Sequence, residues 1–323
     1  MLRSAVLLVG MIGAALLGPI EFAQAAAPEA VLKNLHRPCG IAVRPGGTAD
    51  RYDVFIADSG AGRVVRWSTS APTEVAEAVT GITAAAEFDR FAPQGPVALW
   101  FLDPEMLLVG MAGVSNDKLI ISYELPEDDQ AVSAGAEGEA VARGNQTGGA
   151  TCLALTRSRV NEFVPDALLL AVRNVGEGRL LKARVQSGIV GTPKPFDDGR
   201  SSESPRAVAT SPAGRFVVGD ENGRLVFYNP IDGKAELQLA TDLKQLVSLA
   251  YSPTSGSLYA ADFARGIYRL DDASQPGHPA CRTVRITEAS QPSALTFAPD
   301  GALYFVTFGD DANGKLQVLN NDL

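Results

Sequence analysis

Short apolar runs bounded by Pro, Gly and Asp recur along the chain from about residue 40 to its end. Gly40-Ile41-Ala42-Val43 leads through the turn Arg44-Pro45-Gly46-Gly47 to Val54-Phe55-Ile56-Ala57-Asp58, and Gly62-Arg63-Val64 follows. Runs of four to six β-branched, aromatic and aliphatic residues are too short for helices and too evenly punctuated, so the pattern predicts strands joined by tight turns.

The same pattern returns as a repeat. Ala207-Val208-Ala209-Thr210 leads through Ser211-Pro212-Ala213-Gly214 to Phe216-Val217-Val218-Gly219-Asp220 and Gly223-Arg224-Leu225. A fifth copy runs Ser248-Leu249-Ala250-Tyr251, Leu258-Tyr259-Ala260-Ala261-Asp262, Gly266-Ile267, and a sixth Ala294-Leu295-Thr296-Phe297, Leu303-Tyr304-Phe305-Val306, Gly314-Lys315-Leu316. Copies two and three are looser: Pro96-Val97-Ala98-Leu99 with Leu107-Leu108-Val109-Gly110, and Cys152-Leu153-Ala154-Leu155 with Leu168-Leu169-Leu170-Ala171. Taking Ala42, Ala98, Ala154, Ala209, Ala250 and Thr296 as equivalent, the steps are 56, 56, 55, 41 and 46 residues. These lengths suit four-stranded propeller blades with loop insertions. Each Gly before a third strand permits the positive φ of a tight hairpin, and each small residue before the polar turn (Ala57, Gly110, Ala171, Gly219, Ala261) permits close blade packing. The last copy ends after its third strand. Ala30-Val31-Leu32-Lys33-Asn34-Leu35 is available to pair near Gln317-Val318-Leu319 as its missing outer strand. The expected fold is all-β: a six-bladed β-propeller of four-stranded antiparallel blades, closed by an N-terminal strand completing the last blade.

Residues 1–25 read as a cleaved signal peptide, with Arg3, an apolar Ala5–Leu17 stretch and the small-x-small site Ala23-Gln24-Ala25; residues 26–323 form the propeller. The apolar stretch falls short of the roughly 20 residues of a spanning helix, so a secreted or periplasmic protein without a membrane span is expected. The net charge of −9 weighs against nucleic acid, whose binding needs a basic face. Cys39, Cys152 and Cys281 lie far apart without a CxxC pair and read as packed thiols with at most one bridge.

The Ala-Asp of the second strand and the Gly-Arg-Val of the third, with the Gly-Ile-Ala opening, resemble the NHL-repeat family. That family sits in a wider group of six-bladed propellers including the senescence-marker-protein and gluconolactonase hydrolases. The resemblance covers the mature chain and implies the fold rather than one activity. Gluconolactonase-like members hold a metal through Glu, Asn and Asp; this chain has Pro38-Cys39-Gly40 where their first inner strand carries the glutamate.

Ligands on propellers usually meet the face where the second-to-third-strand hairpins converge. Asp58, Asp220 and Asp262 occupy matching positions there, with Met111, Val172 and Thr307 in the other copies. An Asp in such a place caps its own turn, and no cofactor is then expected; the alternative is that it contributes oxygen to a divalent cation (Ca, Mg or Zn) on this face. Arg90, Arg173 and Arg206 could meet an anionic ligand, with His36 beside the first inner strand. With only His36 and His278 present, a His-rich metal site is excluded. The acidic stretch Glu124–Glu139 reads as a solvated outer loop, and Asn145-Gln146-Thr147 fits a glycan acceptor. The expected function is a monomeric, non-catalytic scaffold binding a protein or small ligand on its channel face. The alternative is a metal-dependent hydrolase of a lactone or sugar derivative.

Overall fold

The computed structural model describes residues 27–83, 95–112, 119–126, 130–135, 138–142, 151–158, 166–174, 177–196, 204–271, 273 and 281–320. The signal-peptide reading of residues 1–25 falls outside them, as do Arg90, His278 and Asn145. No helix among the described residues is long and apolar enough to cross a membrane.

Six sheets follow one another along the chain. Their inner strands are Gly40–Val43, Gly95–Phe101, Thr151–Ser158, Pro205–Thr210, Leu246–Tyr251 and Pro292–Phe297. Each inner strand begins an antiparallel blade and touches the inner strands of both neighbouring blades, with the sixth touching the first. That ring is the expected six-bladed propeller. Its core lies between blades: Phe55 of blade one stacks edge-on against Phe101 of blade two at 5.0 Å, and Tyr259 of blade five against Phe297 of blade six at 5.0 Å. Each blade thus buries two apolar faces that it could not bury alone.

Ring closure follows the sequence reading. Glu29–Leu35 pairs antiparallel with Gly314–Leu319, with Glu29 opposite Val318, Ala30 opposite Gln317 and Leu35 opposite Gly314. A side chain at Gly314 would strike Pro38 Cδ at 2.5 Å, so this glycine serves the close approach of the returning chain rather than a positive φ. Gly266 does need its φ of +118°, and a Cβ there would meet the Thr287 carbonyl oxygen at 2.3 Å. The small-residue reading holds at Gly219, where a Cβ would sit 2.5 Å from Leu246 of the next blade. On the far face the Tyr52 hydroxyl of blade one lies 2.9 Å from both Asp300 Oδ2 and the Tyr304 hydroxyl of blade six, a polar seal over the closing interface.

Two expectations need correction. Strand pairing makes Gly40, Ala98, Ala154, Ala207, Ser248 and Ala294 equivalent, opposite Ala57, Gly110, Ala171, Gly219, Ala261 and Val306. Copies two and three therefore sit two residues out of the register inferred from Ala42. A period of two cannot tell such registers apart, because both put the same side chains on the same face. Second, the acidic stretch is not wholly a solvated loop. Val132–Ser133 pairs parallel with the outer strand of blade one, Ala71–Thr80, and Val132 is 4% exposed.

Candidate functional site

The inner strands carry a shared irregularity. In blades two to six the inner-strand register slips at the same place, between Pro96 and Ala98, Cys152 and Ala154, Pro205 and Ala207, Leu246 and Ser248, and Pro292 and Ala294. Such bulges re-aim a side chain. In blade four the residue at the slip is Arg206, only 7% exposed. Its charge is felt by Cys39 in blade one, across the ring. Burial nevertheless dominates and pushes the Cys39 thiol up to about 12, against the lowering effects of Ser59 and Arg206. A thiol so far from ionisation is inert.

The three matching aspartates end the second strands of blades one, four and five, and each is engaged by its own surroundings. Asp58, fully buried, accepts hydrogen bonds from the His36 backbone N–H and from Arg63 Nε at 3.0 Å. Burial pushes its carboxyl above the usual range, with His36 and Arg63 pulling the other way. Asp220 accepts from the backbone N–H groups of Asn222 and Arg224, and from Arg224 Nε at 3.1 Å. Asp262 accepts from the backbone of Lys244 and Ala264. The structure does not bring the three together. Among the described residues no group of three or more His, Cys, Asp or Glu side chains is placed to hold a metal ion. Hard cations need several converging oxygens, so these carboxylates, committed to separate hairpins, do not fit one.

The other predicted residues are placed in pairs. The His36 ring is 46% exposed, its Nδ1 3.9 Å from Asp58 Oδ2. Arg173 Nη1 lies 3.9 Å from Glu221 Oε2 of the next blade. Glu221 and Phe263 directly follow Asp220 and Asp262, and Phe263 meets Phe308 edge-on at 5.9 Å.

A further chemical opportunity was not among the residues singled out from sequence. The channel holds an open cavity of about 320 Å³ that all six inner strands line, with no charged side chain among the described residues of its wall. Ile41, Trp100, Leu249, Tyr251 and Phe297 supply apolar and aromatic surface. The hydroxyls of Thr156 and Thr210 meet at 2.9 Å across two blades. Trp100 Nε1 and Tyr251 Oη are buried without a hydrogen-bond partner among the described residues. Because each inner strand is the edge of its sheet, its free backbone groups also face the channel. The available signal was the residue near the end of the first strand in blades two to six: Trp100, Thr156, Thr210, Tyr251 and Phe297.

No family model and no curated relative matches the sequence, so the resemblance to NHL repeats rests on the motifs alone. Solved structures do match. A glucose dehydrogenase is 16% identical with TM-score 0.62, covering 92% of this chain and all of its own. A calcium-binding regucalcin from Agrobacterium tumefaciens is 14% identical with TM-score 0.61, over 91% of this chain and 94% of its own. A gluconolactonase from Xanthomonas campestris is 11% identical with TM-score 0.57, over 91% and 89%. At these identities the likeness establishes the propeller fold alone.

Proposed function

We propose that this protein is an extracytoplasmic propeller that binds a small uncharged ligand in its central channel without transforming it. One observation carries this reading: a cavity of about 320 Å³ walled by all six blades, aromatic and hydroxyl-bearing, with no charged side chain among its described lining residues. That volume lies at the lower end of ordinary small-molecule sites, and its balance of apolar wall with a few polar groups is theirs too. A cation entering it would lose hydration with no carboxylate in the described wall to replace it.

The test uses a neutral fluorophore, N-phenyl-1-naphthylamine, whose emission rises in apolar surroundings. Trp100 serves as a second reporter, since the other tryptophan, Trp67, is 4% exposed with its Nε1 bound to the Pro72 carbonyl. Saturable binding at one site per chain, weakened tenfold or more by Ala209→Phe in a folded variant, is expected. Binding unaffected by that substitution would refute the channel as the site.

A second reading is a hydrolase of a lactone or sugar derivative, and the fold likeness to a gluconolactonase and a glucose dehydrogenase supports it more than it supports an inert scaffold. The described residues offer no metal ligand set for it. Metal analysis of the purified protein, together with a glucono-δ-lactone hydrolysis assay, separates the two readings. A stoichiometric divalent ion lost on Asp220→Ala would favour the hydrolase.

A further inference from the structure

The outer edge of blade three departs from its neighbours. Its third strand, Glu177–Gln186, is long, but the fourth is broken into Ile189–Val190 and Lys194–Pro195. The break opens a groove of about 500 Å³ lined by Lys182, Arg184, Gly191, Thr192, Lys194 and Pro195. Lys182 and Lys194 stand directly opposite each other in the pairing register, and Arg184 lies two residues along from Lys182 on the same face. Like charges at directly opposed positions repel and destabilise the pair. The fold nevertheless places three cations around one groove, on a chain whose net charge is −9.

Their partners among the described residues do not neutralise them. Lys182 Nζ donates to the carbonyls of Pro230 and Ile231, both at 3.0 Å, and lies 5.0 Å from the Phe196 ring centroid. Asp232 acts on Lys182 from nearby but is itself paired with Lys234 at 3.4 Å. Arg184 and Lys194, both exposed, make no ion pair with the described residues. Among the described residues no carboxylate lines the groove.

We infer that this groove is an anion site for a small soluble phosphate- or sulfate-type ligand carrying two or more negative charges. A guanidinium fork and two ammonium groups around one concavity match such an anion, and its binding would relieve the repulsion built into the strand pair. The site is on the outer rim of blade three and does not depend on the channel reading. Ile189, 73% exposed at the adjacent hairpin, makes an anionic lipid surface the competing occupant, which the test addresses.

The experiment titrates the full chain with pyrophosphate at fixed ionic strength, following thermal stability and heat of binding, with sodium chloride as control. A saturable response is expected, weakened at least tenfold in the double variant Arg184→Gln, Lys194→Gln. These two side chains hold nothing in place, so the unliganded variant should be as stable as the parent or slightly more so. Lys182 is left intact because its bonds tie blade three to blade four. The proposal fails if pyrophosphate gives no saturable response beyond the salt control, or if the double variant responds as the parent does. It fails equally if the unliganded variant is destabilised, or if phosphatidylglycerol vesicles bind the groove while pyrophosphate does not.

Discussion

Replacing Asp58 with Ala removes two hydrogen bonds at once: one from the backbone N–H of His36, just past the ring-closing strand, and one from Arg63 Nε at 3.0 Å. Each bond to a charged acceptor contributes about 1.5–3 kcal/mol net. The Arg63 share is discounted, because its side chain is 31% exposed and keeps Glu77 at 2.8 Å. The expected loss is about 2–4 kcal/mol, or roughly 4–12 °C in Tm for a domain of this size. Asp58→Asn should cost less than half as much, since burial already disfavours the charge and an amide oxygen can still accept from His36. The sign with pH follows from the raised carboxyl. Its contribution is fully present below the ordinary value of 3.8 and is lost as pH rises through the folded value, so the parent's advantage over Asp58→Asn should shrink from acid towards neutrality. Calorimetric and urea melts of both variants without added metal, at acid and neutral pH, measure all three quantities. An Asp58→Ala loss under 0.5 kcal/mol, or one appearing only when a divalent ion is supplied, would refute the turn-capping role.

Three other outcomes follow from the packing and the thiol. Leu35→Ala, at a residue 2% exposed in the closing strand, should cost about 2–4 kcal/mol in urea melts; it should also raise the oligomer fraction on size exclusion as the Gly314–Leu319 edge is freed. Gly266→Ala should destabilise by about 2 kcal/mol or more, from its φ of +118° and the Thr287 carbonyl in the way, and a neutral result would show that the hairpin has another geometry. With its thiol pushed up to about 12, Cys39 should alkylate slowly at pH 8 and roughly tenfold faster per pH unit through pH 10; levelling near pH 9 would contradict the burial argument.

Much of the fold was legible because its signals are local. Pro and Gly turns, alternation of period two and a recurrent Asp mark the strands wherever they fall, and the unpaired Ala30–Leu35 segment announced closure. The two-residue error in blades two and three came from that same alternation, which is blind to even shifts. Val132–Ser133 escaped notice because its neighbours are acidic and small, while its strand partner lies in a different blade. At the site, the matching positions of Asp58, Asp220 and Asp262 were visible. Their commitment to capping became clear only with the hydrogen bonds, some from nearby hairpins and some from His36 and Lys244 about 20 residues away.

The sequence by itself determined the number of modules and their strands, since each depends on residues within a few tens of positions, and it marked the terminal segments that meet because each lacks a partner in its own module. Only the tertiary structure decided what the channel contains and where charge gathers. Ile41, Trp100, Thr210 and Phe297 become neighbours because the ring curves six strands onto one axis. Lys182 and Lys194 face each other because a broken outer strand returns at that register. Chemistry at such places depends on distances through space, and alternation along a chain carries no record of them.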